Sequence, residues 1–204
     1  MWKIAAAVII LIRHGQTTTN AQNLLVGRSD PELTELGESQ ARALVPFLTN
    51  VKEVWSSPLS RARNTAALAM PHLEAKINHD FIEVDYGSLD GSPLSVVTPE
   101  EWKTFESDTT FALGGGESLA SVDARVHAQL NALLEDETSL LHNPREHLAI
   151  VSHVSPIKSA VGWSLGADSS LAFRTQLHNG SMTQVFVRRR TPLLVHFNML
   201  PEPR

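Results

Sequence analysis

Residues 4–15 read Ile4-Ala5-Ala6-Ala7-Val8-Ile9-Ile10-Leu11-Ile12-Arg13-His14-Gly15. Nothing polar interrupts the run from Ile4 to Ile12, so it has neither the alternation of a half-solvated strand nor the 3.6-residue period of a surface helix. A strand covered on both faces has this composition, and such strands sit in parallel sheets flanked by helices. Lys3 ahead of the run imitates a signal-peptide core. The small residues Ala5-Ala6-Ala7, however, open the run, where a cleavage site would follow it. The run is also too short to span a bilayer. The expectation is a buried strand in a cytoplasmic protein, ending on Arg13 and His14.

Outward from that strand, extended and helical patterns alternate. A polar loop over residues 15–31 leads to a helix over 33–48 with Thr34 as its N-cap, a short strand at 51–56, a helix over 59–70 and an extended segment at 77–82. Residues 84–117 are the least regular stretch, and their Trp102, Phe105 and Phe111 read either as core or as the lining of a substrate entrance. A long helix over 118–134, a strand at 147–152, a helix over 156–165 and strands at 182–187 and 193–197 complete the pattern. Strands alternating with helices predict a single α/β domain over residues 1–204, built on a mostly parallel sheet that a terminal hairpin makes mixed. Arg188-Arg189-Arg190 falls between the last two strands and reads as solvated charge in the turn. An exposed terminal strand is also placed to pair with a second copy in a homodimer.

The composition excludes several classes. The 204 residues suffice for one substantial core. With 17 Lys and Arg against 22 Asp and Glu the net charge is -5, without the basic surplus of a nucleic-acid binder. There is no cysteine, which removes disulfides, thiolate metal sites and a cysteine nucleophile. The histidines outside the strand ends show no metal-ligand spacing, and no glycine-rich nucleotide loop is present. Neither a metal nor a cofactor is expected.

Ligands of open α/β sheets bind beyond the carboxyl ends of the strands. Arg13, His14 and Gly15 follow the first strand, and Ser57-Pro58-Leu59-Ser60-Arg61-Ala62 follows the second. Glu83 stands just past the segment at 77–82, and His153 follows Ser152. Two arginines present donor forks suited to phosphate oxygens. A histidine among such charges stays unprotonated and nucleophilic. A second histidine donates to the phosphoryl oxygens as charge shifts. A carboxylic acid protonates the leaving alcohol and then deprotonates water. Glu83 is the first candidate for that acid, with Asp85 and Glu117 as rivals. The ligand these residues describe is a small phosphate ester.

The blocks Leu11-Ile12-Arg13-His14-Gly15-Gln16-Thr17 with Asn20 and Gly27, then Ser57 to Ala62 with Thr65-Ala66, then Phe81 to Gly87, Gly115-Gly116-Glu117-Ser118 and Val151-Ser152-His153 occur in that order. In this the chain resembles the histidine phosphatase superfamily, the phosphoglycerate mutase-like enzymes. Pro156-Ile157-Lys158 is similar to its α-ribazole and sugar-phosphate phosphatase branch. The resemblance implies a three-layer α/β/α sandwich and a metal-independent reaction. It makes His14 the phosphorylated nucleophile and Glu83 the general acid. Arg13, Arg61 and His153 would bind the phosphoryl group, with Asn20 assisting. Val154 departs from the family's usual glycine after the second histidine. Three functions fit: a phosphatase, a mutase-type isomerase, and a silent binding or regulatory protein. The family's mutases carry a longer insertion after the acid motif and a covering C-terminal tail. Here only residues 84–114 separate Glu83 from Gly115 and only residues 198–204 follow Phe197, which favours the phosphatase.

Overall fold

In the computed structural model, residues 7–143 and 146–201 are described, so residues 4–6 of the opening run lie outside the described part. The rest of that run is strand β1 (Ala7–Arg13). It joins β2 (Val51–Ser56), β3 (Ala75–Ile77), β4 (His147–Ser152), β5 (Met182–Arg188) and β6 (Thr191–Met199) in one sheet ordered β3-β2-β4-β1-β5-β6. Strands β1 to β4 are mutually parallel, while β5 and β6 run antiparallel to their neighbours.

The helices are α1 (Thr18–Ala21), α2 (Glu35–Ala43), α3 (Ser60–Ala69), α4 (Pro99–Ser107), α5 (Leu119–Glu135) and α6 (Val154–Leu165). The side chains of β1 explain its unbroken apolar sequence. Val8, Ile10 and Ile12 share a core with Leu44, Ala62 and Ala66 on the α2–α3 side. Ala7, Ile9 and Leu11 share another with Val122, Val126 and Ile157 on the α5–α6 side. Both faces are therefore dry, giving the α/β/α sandwich, and each fully buried Ile or Leu contributes about 1.5–3 kcal/mol.

Local chemistry moved several element boundaries. Helix α2 ends at Ala43, and Pro46 lies in a separate 3-10 turn, Val45–Phe47, because its ring blocks helix continuation. Only the start of the expected 77–82 segment is strand. The Asn78 side chain accepts the Asp80 N–H, and a 3-10 turn at His79–Phe81 drives Phe81 into the core. Pro156 falls within the first turn of α6, where a missing N–H costs nothing. Helix α4 lies inside the stretch expected to be irregular, opened by Pro99 and a reciprocal capping box between Thr98 and Glu101. Its Phe105 packs with Leu25, Val97, Leu113, Trp102 and Phe111 in a small satellite core. Phe105 is core, and Trp102 and Phe111 are partly buried against it.

One close backbone contact steers the site. A Cβ on Gly15 would lie 2.2 Å from the Gly37 carbonyl oxygen, so the loop after β1 rests backbone-to-backbone on the first turn of α2. At the far end, Arg189 and Arg190 both adopt positive φ (49° and 63°) in the two-residue turn from β5 to β6, as a hairpin turn matched to strand twist requires.

Candidate active site

His14 leaves the end of β1, its N–H donating to the Ser152 carbonyl of β4 (3.0 Å). The ring is 3% exposed. Its Nδ1 lies 2.7 Å from the Gly15 carbonyl oxygen, an acceptor only, so Nδ1 carries the proton and Nε2 the lone pair. On the other side the Arg61 Nε–H points at His14 Nε2 over 3.3 Å. Burial, followed by the Arg61 and Arg13 charges, holds the His14 pKa well below the usual imidazole range.

Arg61 opens α3 and is fully buried. Its Nε–H is shared between His14 and His153 Nδ1 (3.2 Å), while its terminal nitrogens donate to the carbonyls of Ser29 (2.6 Å) and Gly27 (2.7 Å). His153, the N-cap of α6, places Nε2 2.7 Å from Ser57 Oγ and its ring centroid 5.0 Å from that of His14. Burial, then Arg61 and His14, also lower the His153 pKa well below its normal value.

Glu83 faces the first turn of α6. Its Oε1 accepts the N–H groups of Val84 (2.9 Å) and Ser155 (3.1 Å), and its Oε2 that of Val154 (3.0 Å). The carboxyl group thus caps the first turn of α6, pairing backbone N–H groups that the helix leaves open. Val154 serves here through its backbone. Arg13 donates from a terminal nitrogen to the Leu177 carbonyl (2.5 Å), but its buried Nε has no partner. Burial lowers the Arg13 pKa to about 10, with Glu83 opposing, which leaves it cationic at neutral pH. Arg13, His14, Asn20 and Glu83 line one cavity of about 160 Å³.

The structure therefore brings together all six residues singled out from the sequence: Arg13, His14, Asn20 and Glu83 line the cavity, and Arg61 and His153 contact His14. It also separates the rivals for the acid. Glu117 is clamped between Arg125 (2.8 Å) and Arg28 (3.1 Å), and Asp85 accepts the Gly87 N–H on the surface. Asn20 Oδ1 accepts the Thr17 N–H, closing the cap of α1, and also an N–H of Asn179. Asn179 went unnoticed in the sequence; its amide also donates to the His14 carbonyl (3.2 Å), and it follows no strand motif that would mark it. Asp90 was equally silent, although it binds the loop that holds Arg61 through Gly27 N (2.8 Å) and Ser29 N (2.6 Å).

A family model, the histidine phosphatase superfamily (branch 1), matches residues 9–200. The chain belongs to this superfamily. A bifunctional protein of Mycobacterium tuberculosis is 32% identical over 186 residues, which are 86% of this chain and 49% of that protein. The chain thus spans about half the length of that relative. Phosphoserine phosphatase 1 of Hydrogenobacter thermophilus is 29% identical over 199 residues, covering 94% of this chain and 92% of the relative. Among solved structures, the phosphoserine phosphatase of Entamoeba histolytica, a mutant bound to phosphoserine, superposes with a TM-score of 0.83 at 27% identity, over 94% of this chain and 96% of that one. Among the described residues no helix of this superfamily member is long and apolar enough to cross a membrane.

Proposed function

We propose that the chain is a single-domain, metal-independent phosphomonoester hydrolase that works through a phosphohistidine on His14. The observation that carries the reading is the His14 ring itself. Its Nδ1–H is fixed on the Gly15 carbonyl, so the Nε2 lone pair faces Arg61 and shares a cavity with Arg13 and Glu83. In the first step Nε2 forms a bond to phosphorus while the bond to the leaving oxygen breaks. The carboxylic acid form of Glu83 gives that oxygen its proton. In the second step the Glu83 carboxylate takes a proton from water, the new oxygen bonds to phosphorus, and the P–N bond breaks to restore neutral His14. Arg13, through its unpartnered Nε, and Asn20 hold the phosphoryl oxygens, and Arg61 and His153 join them when the substrate replaces the contacts of the Arg61 Nε–H to the two rings. Arg13 and Arg61 supply the charge a metal ion would otherwise bring.

Hydrolysis is favoured over mutase-type transfer. A mutase has to keep water from the waiting phosphoenzyme. The short stretch after Glu83 is instead occupied by α4 and its satellite core. The relatives named as phosphoserine phosphatases support the same choice. The reading extends to a cytoplasmic homodimer joined at β6, an edge strand with Leu193 and Val195 exposed.

Hydrolysis of p-nitrophenyl phosphate in EDTA, compared between wild type and His14→Ala, tests the proposal. Turnover that disappears in the variant is expected. Full activity in the variant overturns the nucleophile, and an inert, folded wild type favours a binding protein.

A further inference from the structure

Beyond the phosphate, the same cavity is walled by Leu24, Leu25, Val26, Tyr86 and Val154. The Tyr86 hydroxyl is engaged with Ser155, and burial followed by the Glu83 charge raises its pKa, so it stays a neutral phenol. Arg13 is the one cation among the lining residues, and its free Nε belongs to the phosphoryl group in the mechanism above. The neighbouring cations are committed elsewhere. Arg28 donates to the Glu83 carbonyl (2.7 Å) and to Glu117 (3.1 Å). Arg125 binds Glu117 through two nitrogens (2.8 and 3.1 Å). Lys158 is held by the carbonyls of Ala172 (2.5 Å) and Thr175 (2.7 Å).

A carboxylate on the alcohol half of a substrate would therefore enter an apolar collar with a glutamate on one side and no second cation among its lining residues to pair it. Burying an unpaired carboxylate in such a collar is costly. We infer that this site selects phosphomonoesters whose leaving alcohol is uncharged, discriminating against phosphorylated hydroxy acids and amino acids. The inference rests on the phosphatase reading and narrows it, because relatives of similar fold are named for phosphoserine.

Glycerol 3-phosphate and 3-phosphoglycerate make a matched pair, differing in a neutral CH2OH against a carboxylate. Steady-state kcat/KM for both, with p-nitrophenyl phosphate as a reference, decides the matter on the intact protein. A preference of at least tenfold for glycerol 3-phosphate is expected. Equal values, or a preference for 3-phosphoglycerate, overturn the selectivity while p-nitrophenyl phosphate turnover leaves the phosphatase standing. If none of the three is hydrolysed, the phosphatase reading falls and takes this inference with it.

Discussion

Arg61 touches His14 and His153 with a single N–H, its Nε lying 3.3 Å from His14 Nε2 and 3.2 Å from His153 Nδ1. One donor thus fixes the tautomers of two rings, since each nitrogen it faces must offer a lone pair. The rest of the guanidinium is spent on the Gly27 and Ser29 carbonyls, which set its orientation. Lysine keeps the charge but has no planar fork to satisfy these partners together. Arg61→Lys is expected to lower kcat/KM by about 10²-fold, comparable to removing one preorganised donor from a transition-state site. A variant within threefold of wild type would show that charge alone suffices.

In the proposed mechanism Glu83 delivers its proton to the leaving oxygen, so its importance depends on how much that oxygen needs one. Glu83→Gln retains the shape but cannot exchange a proton. With an alkyl phosphate the expected loss in kcat is about 10²–10⁴-fold. With p-nitrophenyl phosphate, whose phenolate leaves unaided, the loss in the first step is expected to be much smaller. Equal losses on both substrates would place the proton elsewhere.

Asp90 reaches Arg61 without touching it. Its carboxylate accepts Gly27 N, Ser29 N and Ser29 Oγ (2.8, 2.6 and 2.9 Å), and so holds the two carbonyls that Arg61 grips. Asp90→Asn turns one acceptor oxygen into a donor facing another N–H. About tenfold weaker competitive inhibition by inorganic phosphate is expected, equivalent to about one misplaced hydrogen bond. Vanadate affinity should fall in parallel. Unchanged affinities for both anions would sever the link from Asp90 to the site.

The buried imidazoles couple folding to pH. His14 and His153 both have folded pKa values lowered below the ordinary value of about 6.5, first by burial and then by Arg61. Below that value the unfolded chain binds protons that the folded protein refuses. Their contribution to stability is therefore present above about pH 6.5 and is lost as pH falls toward the folded pKa. The melting temperature is expected to drop from pH 7 to pH 5, less steeply in His14→Ala. A flat profile through that range would contradict the neutral assignment of both rings. Catalysis, by contrast, should persist below pH 6.5, because the nucleophile is still unprotonated there.

Residues 4–12 carried the fold in sequence alone, and the segment ends marked Arg13, His14, Arg61, Glu83 and His153 as candidates, while Asn20 came only from the family resemblance. An uninterrupted apolar run has few stable fates, and the right residue types after successive strands converge wherever a parallel sheet forms. The capping box at Thr98–Glu101 was also legible in principle, since it is a local pattern. Asn179 and Asp90 were not, because each acts across a large sequence separation on a backbone group, and backbone groups leave no residue code. Nor does sequence rank carboxylates. Glu83, Asp85 and Glu117 lie in one stretch of chain, and only folding placed Glu83 in the cavity and Glu117 between two arginines. Local chemistry determined which elements form. Tertiary packing decided which charges stay free, because a charge is free only when no other part of the fold has already satisfied it.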